Sequence, residues 1–189
     1  MNFKETLTSL IGTDEIVSVS CNPDDPYKTC CGFVLAVTDE FIILKSVDTY
    51  GKSDGFILRR FGEIFRLDRN GEYEQRLTYL YSRLNQAHPV FDIASDNLLT
   101  DLLEYARLNQ LVVSAGIRDY SSISIYALVK SIDCDNQMVL FYELNDNGAR
   151  TGGENLIQLD AIKRASILSE DEIKMQLLNQ GFKVDRNRK

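Results

Sequence analysis

The sequence predicts a mainly β fold with flanking helices (α+β), built as two tandem units of five short strands each. The chain of 189 residues is long enough for one domain or for two small ones. Most of it consists of brief runs rich in Val, Ile and Phe, separated by turn-forming residues. Three of these turn residues recur after a constant 97 positions, Asp48, Gly51 and Gly55 as Asn145, Gly148 and Gly152.

The first unit opens with a capping box, in which Asn2 is followed three positions later by Glu5, and the short helix that it starts ends before Gly12. A second helix follows the turn at Asn70 and Gly71, where Tyr and Leu side chains recur at helical spacing. Between the helices lie five predicted strands, "EIVSVSC", "CCGFVLAV", "FIILKSV", "GFILRRF" and "EIFRL".

The second unit repeats this order after a linker at residues 87–95. Asp96 is the predicted cap of its first helix, and Ser169 with Glu172 forms the predicted capping box of its last. The strands between them are "LVVSAGI", "ISIYALVKSI", "QMVLFYEL" and "NLIQLDAIKRA", the last broken into two near Leu159.

The apolar run 41–44 also matches the run 138–141 at the offset of 97. Glycine or a short polar side chain is what a tight reversal with positive φ requires, so the repeated turn residues predict one turn built twice. We therefore predict two domains of like fold, residues 1–90 and 91–189, each with a helix before its strands and one after them.

The first unit resembles the Sm-like family of small SH3-like barrels over most of its length. The segments that carry the resemblance are "GFVLAVTDEFIILKSVD", in which Gly32 lets the second strand curve, and "GFILRRFGEIFRL". Asp39, Glu40 and Phe41 resemble the family's turn between strands two and three. In the second unit Ala127 stands where Gly32 would. The resemblance implies two tandem five-stranded barrels, joined to partners through strands four and five, and binding of single-stranded RNA.

The residues that would form a uridine pocket in that family are missing here. Ile42 stands where the pocket asparagine is expected, and neither unit has the Arg-Gly pair. The net charge is −7 and both halves of the chain are acidic, which disfavours binding through phosphate contacts. We expect RNA binding to be weak, and an RNA-binding protein with a divergent pocket is the alternative interpretation.

Catalytic and metal-binding chemistry has little support in the sequence. His88 is the only histidine and precedes a proline, and no nucleotide-binding or metalloprotease motif is present. The loop with Asp48, Tyr50, Lys52 and Asp54 alternates like a calcium loop, but a lysine occupies a ligand position. We predict no enzyme activity, no cofactor and no metal, and a small-molecule enzyme is the third hypothesis.

Four cysteines have neither CxxC spacing nor the density of a disulfide-stapled domain, so buried or half-buried thiols are expected. Cys21 and Cys30 could face each other across a hairpin. The sequence contains no apolar run long enough to span a membrane and no basic start followed by an apolar stretch, which predicts a cytoplasmic protein.

The preferred hypothesis is a non-catalytic binding or assembly module with a protein partner. Arg59 and Arg60 are interpreted as guards of an edge strand, or as part of a base-stacking patch. Because like charge lies along the edges that would have to meet, we expect a monomer or at most a dimer, not a ring of barrels. The candidate binding surface comprises Asp39, Phe41, Asp48, Tyr50, Lys52, Arg59 and Arg60.

Overall fold

The computed structural model describes residues 2–117 and 124–181, and within these ranges the chain forms four helices and ten strands. The helices are α1 (Phe3–Thr8), α2 (Glu72–Arg83), α3 (Leu98–Leu108) and α4 (Glu170–Gly181). The strands are β1 (Ile16–Ser20), β2 (Thr29–Val37), β3 (Phe41–Val47), β4 (Ser53–Arg60), β5 (Arg66–Arg69), β6 (Val112–Ile117), β7 (Ser124–Asp133), β8 (Met138–Leu144), β9 (Asn155–Gln158) and β10 (Ile162–Ile167).

All ten strands belong to one open antiparallel sheet in the order β5-β1-β2-β3-β4-β10-β6-β7-β8-β9. The prediction of two separate five-stranded barrels, and with it the Sm-like architecture drawn from the resemblance, is therefore wrong. The mainly β character is as predicted, with a helix before and after each set of five strands.

The physical reason for the single sheet is the joint between β4 and β10. Four residues of each strand pair, with Leu58 opposite Ala165 and Phe56 opposite Ile167. All four side chains are almost completely buried in one hydrophobic cluster. Burying this apolar surface stabilises the joint, because each large aliphatic or aromatic side chain removed from water contributes about 1.5–3 kcal/mol.

The sheet nevertheless contains the repeat that the sequence predicts. Strands β10-β6-β7-β8-β9 stand in the same order as β5-β1-β2-β3-β4, and the pairing registers agree. Gly32 pairs with Val17 on β1, and Ala127 pairs with Val113 on β6, so alanine does stand at the place of the glycine. Each set has a 3-10 turn before its last strand, and the second of these, Leu159–Ala161, is the predicted break.

The repeated loop has the same hydrogen bonds in both halves. The Asp48 carboxylate accepts the backbone N–H groups of Tyr50 at 2.9 Å and Lys52 at 2.7 Å. The Asn145 side-chain oxygen accepts those of Asn147 at 3.0 Å and Ala149 at 3.1 Å. The prediction of one turn built twice is confirmed.

Each loop also carries a glycine on which a helix rests. Gly51 has a φ of +77° and lies against Leu80 of α2, and Gly148 has a φ of +73° and lies against Leu178 of α4. A Cβ atom at either position would come within 2.5 Å of the helix. The loop is thus repeated because it seats the helix that follows each set of strands.

One hydrophobic cluster spans both halves of the chain. It joins Phe41, Ile43, Phe56 and Leu58 of the first half to α3 and to the inner face of the second set of strands. A second cluster lies between β1, β2, β3 and α1. The division into domains 1–90 and 91–189 stays a prediction, and its boundary falls in the segment between α2 and α3.

The N-terminal caps of the helices agree in part with the sequence prediction. The capping box at Asn2 and Glu5 is present, with Glu5 N donating to the Asn2 side chain at 2.8 Å. The cap of α3 is Asn97 and not Asp96, and its side chain accepts from Thr100 N at 3.1 Å. Asn and Asp are equally good caps, so the choice between neighbours depends on the path of the linker.

Candidate functional site

A polar groove lies on the sheet where the two halves meet. It has a volume of about 670 Å³ and is bordered by β4, β10, β6 and β7, by the loop before β2 and by the start of α4. Ala165 and Ile167 of β10 face the shared hydrophobic cluster, so the alternating Arg164 and Ser166 face the groove. We call this site the seam groove.

Two arginines face each other in the seam groove. Arg59 of β4 is directly opposite Arg164 of β10 in the register of the joint. Burial, and after it the charge of Arg59, lowers the pKa of the Arg164 guanidinium. Like charges directly opposite in neighbouring strands destabilise a sheet, and here the neighbouring Cys30 and Glu63 act on the pKa of Arg164 in the opposite direction to Arg59.

Hydroxyl groups surround the arginine pair. Ser114 lies opposite Ser166 on one side and Tyr126 on the other, which places three hydroxyl-bearing residues in a row across three strands. Arg164 Nη2 donates to Ser124 Oγ at 3.4 Å. These groups can donate to an anion or accept from the hydroxyl groups of a ligand.

Two buried glutamates hold helices to the sheet. Ser18 Oγ donates to Glu74 Oε1 at 2.5 Å, and Ser166 Oγ donates to Glu172 Oε1 at 2.8 Å. Burial raises the pKa of Glu172 above its ordinary value. Because each glutamate is the third residue of its helix, these pairs anchor the starts of α2 and α4 to the sheet.

Three residues of the sequence-predicted surface lie near the joint. Phe41 is buried in the shared cluster, and the guanidinium of Arg60 lies 5.4 Å from the centre of its ring. Arg60 Nη2 also donates to the backbone oxygen of Asp160 at 2.8 Å. Arg59 faces the seam groove. The interpretation of Arg59 and Arg60 as guards of an edge strand is wrong, because β4 is paired on both sides.

The other four residues of that surface lie elsewhere. The Asp48 carboxylate accepts backbone hydrogen bonds within its own loop. Tyr50 and Lys52 of that loop are exposed to solvent. Asp39 lies in the turn between β2 and β3 and pairs with Lys4 of α1 at 2.5 Å. The structure therefore does not bring the seven predicted residues together into one surface.

Arg164 belongs with Arg59 and was not among the predicted site residues. The two arginines are 105 positions apart, and strand periodicity does not tell which edges pair. The alternation at Leu58 and Arg59 is typical of a strand with one buried and one polar face, and it does not indicate which strand pairs with β4.

The four cysteines differ in burial, and His88 is held by two hydrogen bonds. Cys31 is buried, Cys21 and Cys30 are half-buried, and Cys134 is exposed, which corrects the expectation for that thiol. Burial, followed by the neighbouring Cys30, raises the pKa of Cys21 to about 12, so its reactive thiolate form is suppressed. His88 bridges two elements, with Nε2 2.8 Å from Ser46 O and Nδ1 2.9 Å from the Tyr81 hydroxyl.

Within residues 2–117 and 124–181, no three His, Cys, Asp or Glu side chains gather in an arrangement that could hold a metal ion. No helix in the described part of the chain is both long and apolar enough to cross a membrane.

The two ends of the sheet are short strands with one neighbour each. Among the described residues, β5 pairs only with β1, and β9 pairs only with β8. Their positions in the repeat correspond to β10 and β4, the strands that form the joint. Leu156 on β9 is 63% exposed, whereas Leu58, its counterpart on β4, is 0% exposed. The two end strands, β5 and β9, are therefore the counterparts of the two strands, β10 and β4, that pair in the middle of the sheet.

Comparison with protein-family models, with curated proteins and with solved structures finds no match to this chain. The resemblance to Sm-like proteins stays an expectation from the sequence. The candidate sites are therefore known from this chain's own geometry. They are one polar groove at the joint and the two edge strands of the sheet.

Proposed function

We propose that the protein is a non-catalytic assembly module that binds protein by strand pairing, and that its partner is a second copy of the same chain. The joint between β4 and β10 carries this proposal, because each end of the sheet is the counterpart of one side of that joint. An exposed strand edge offers unpaired N–H and C=O groups to another strand.

The register of the joint can be transferred to the two edges. Corresponding residues in the last two strands of each set are 98 positions apart, so β9 would meet β5 of a neighbouring copy in an antiparallel pair. The opposing residues would be Ile157 and Arg66, Leu156 and Leu67, Asn155 and Asp68, and Glu154 and Arg69.

This register is chemically complementary. Leu156 would be covered by Leu67, a half-buried residue that packs against the cluster beneath α1. Glu154 would lie opposite Arg69, and an opposite-charge pair across two strands contributes about 0.2–1 kcal/mol. The pairing would repeat the packing of the joint. There, apolar side chains of β4 extend the hydrophobic cluster that lies between the second set of strands and α3.

The expectation of a monomer or at most a dimer rested on like charge at the edges. In the joint, however, Arg59 and Arg164 lie opposite each other in paired strands. Like charge thus does not prevent this kind of pairing. The pairing either closes at two copies, within the predicted upper limit, or continues to more, and the molecular mass in solution distinguishes these outcomes.

Size-exclusion chromatography with light scattering tests the proposal. Wild-type protein should have the mass of two or more chains, and Leu156→Asp should have the mass of one, since it places a charge on the apolar pair. Leu177→Asp on α4 is the matched control, because Leu177 is 64% exposed and α4 packs against β6, a strand inside the sheet. Thermal unfolding establishes that both variants are folded.

Charge reversal provides a second arm. Arg69→Glu should weaken assembly by placing like charges opposite each other, and the double variant with Glu154→Arg should restore it. Both side chains have partners within the chain, Glu15 for Arg69 and Lys130 for Glu154, so each single variant is also measured for stability. A wild-type protein that stays monomeric at its highest working concentration contradicts the proposal, and so does equal assembly of both leucine variants.

A further inference from the structure

We propose that a groove between the C-terminal ends of α3 and α4 binds a small organic dianion, held by Lys130 and Arg150 on either side of Tyr142. We call it the helix-end groove. Its volume is about 380 Å³, within the range of small-ligand pockets, about 300–1,000 Å³. Among the described residues, none from β5 or β9 lines it, so the inference does not rest on the proposed assembly.

Three neighbouring segments form the charged floor of the groove. Lys130 lies on β7 and Tyr142 on β8, and Arg150 forms a backbone bridge with Leu144 just after β8. Lys130 Nζ lies 5.2 Å and Arg150 Cζ lies 4.3 Å from the centre of the Tyr142 ring. The two charges are therefore within about 10 Å of each other, close enough to act on one ligand at moderate salt.

The positive charges of the groove are compensated only in part. Lys130 pairs with Glu154 at 2.5 Å, and Arg107 of α3 pairs with Glu104 at 2.6 Å. These four side chains are partly exposed, and an ion pair of that kind contributes little, so an anion can exchange with its carboxylate. Among the described residues, Arg150 contacts the tyrosine ring and forms no ion pair. No Asp or Glu of the described chain lines the groove, although the net charge of the protein is −7.

The internal repeat indicates that the fold does not require this row of charges. The same places in the strand pairing of the first half are occupied by Leu35, Lys45 and Ser53, the counterparts of Lys130, Tyr142 and Arg150. Both halves keep the bulge, the register and the loop, with different residues at these places. The two cations on one aromatic ring belong to the second half alone, as expected of a ligand site added to a repeated scaffold.

Hydrogen bonds from α4 fix one wall of the groove. Gln176 Oε1 accepts from Val112 N at 2.8 Å, and its Nε2 donates to Gln110 O at 2.9 Å. Asn179 Nδ2 donates to Gly148 O at 2.8 Å, which ties the same helix to the loop after β8. The wall is therefore formed before a ligand binds, which reduces the entropy lost on binding.

The end of α3 forms the other wall, and its carbonyl groups have partners within the chain. Leu111 N donates to Ala106 O at 2.8 Å, and Gln110 N donates to Arg107 O at 3.2 Å. The partial negative charge of this helix end is offset by the Arg107 guanidinium in its last turn. An anion in the groove thus meets a cation at this wall.

Two cations on either side of one ring suit a small molecule with two negative charges. A guanidinium donates parallel hydrogen bonds to a carboxylate or phosphate, and an ammonium group attracts either as a point charge. Leu111, Leu128 and Val129 also line the groove and suit a short carbon skeleton between the charged ends. Dicarboxylates and phosphate monoesters share this chemistry.

Titration calorimetry at constant ionic strength tests the site. The probes are succinate, glutarate and glycerol 3-phosphate, with butyrate as the monoanionic reference and succinamide as the neutral one. At least one dianion should bind saturably and about tenfold or more tightly than butyrate, and its identity distinguishes a dicarboxylate from a phosphate ester. Arg150→Gln should weaken binding of that dianion by about tenfold or more, the loss expected when one charge-assisted contact is removed.

Arg83→Gln on α2 is the matched control. Arg83 is exposed and its guanidinium lies 5.3 Å from the centre of the Tyr79 ring, so both substitutions remove a positive charge and an Arg-Tyr contact. A purely structural role of Arg150 predicts that the two variants bind the probes equally. The site predicts that Arg83→Gln binds them as wild type does, and that saturating dianion raises the melting temperature of Arg83→Gln more than that of Arg150→Gln.

All variants are compared at one protein concentration, so that self-association enters equally, and thermal unfolding establishes that each is folded. The inference is overturned if no dianion binds the wild type more tightly than butyrate, or if Arg150→Gln binds the dianion as tightly as Arg83→Gln.

Discussion

Gly55 is the residue at which the joint between β4 and β10 can be tested by one methyl group. It has a φ of +68°, and a Cβ atom there would lie 2.1 Å from the backbone oxygen of Ile167 and 2.4 Å from the carbonyl carbon of Leu168. Gly152 is its counterpart in the repeat, with a φ of +89°, but nothing lies within 4 Å of an added Cβ. The substitutions Gly55→Ala and Gly152→Ala therefore share the backbone strain and differ in the contact.

The expected losses of stability follow from these two terms. A residue with a side chain in the left-handed region costs about 1–2 kcal/mol, and this term applies to both variants. In Gly55→Ala the strands must also move apart, which adds about 1–3 kcal/mol of overpacking strain. If one ladder hydrogen bond is lost as well, about 1 kcal/mol is added. We expect Gly55→Ala to lose about 2–5 kcal/mol, or about 3–6 kcal/mol if the hydrogen bond is lost, and Gly152→Ala about 1–2 kcal/mol.

Urea unfolding followed by circular dichroism measures the free energy of unfolding of both variants against wild type. A difference of about 2 kcal/mol between them corresponds to about 4–8 °C in melting temperature for a chain of this size. Because the proposed assembly could itself add stability, the measurement is made in the Leu156→Asp background. Equal losses in the two alanine variants would refute the reasoning, since they would mean that Ile167 does not lie against Gly55.

Three further predictions concern other parts of the molecule. Burial lowers the pKa of His88, so its contribution to stability is complete above pH about 6.5 and is lost as the pH falls from there toward the lowered folded value; His88→Gln should remove this slope in pH-dependent unfolding. Asn145→Ala should destabilise by about 1–2 kcal/mol for two backbone hydrogen bonds lost, and Asp48→Ala by more, because its carboxylate accepts charge-assisted bonds; a loss at only one of the two positions in urea unfolding would contradict the equivalence of the loops. Single-stranded RNA should bind no tighter than about 10⁻⁴ to 10⁻⁶ M at physiological salt in a mobility-shift assay, and nanomolar binding of uridine-rich RNA would favour the RNA-binding alternative.

Local structure could be predicted from the sequence because it depends on neighbouring residues. The capping box at Asn2, the break near Leu159 and the loops at Asp48 and Asn145 each depend on a few adjacent side chains and their backbone donors. The internal repeat was visible for the same reason, since equal turns require equal residues at equal spacing.

The joint could not be predicted because pairing of β4 with β10 is a contact between distant segments. Periodicity identifies strands but does not specify their neighbours. Arg59 and Arg60 favoured an unpaired edge, and the buried Phe56 and Leu58 on the other face of the strand outweighed that charge. The seam groove was missed with the joint, since Arg164 meets Arg59 only when the two halves share a sheet.

Cross-linking between copies tests the central claim, pairing of β9 with β5, most directly. One protein carries Leu156→Cys and the other Leu67→Cys, both in a Cys134→Ser background because the Cys134 thiol is exposed. They are mixed under a mild oxidant and the cross-links are mapped by mass spectrometry, with Leu156→Cys and Leu177→Cys in the same background as the control mixture. The transferred register places residues 156 and 67 directly opposite each other, close enough for a disulfide to form. We predict a covalent dimer joined at positions 156 and 67 and none in the control; cross-links that appear equally in both mixtures, or in neither, would contradict the pairing.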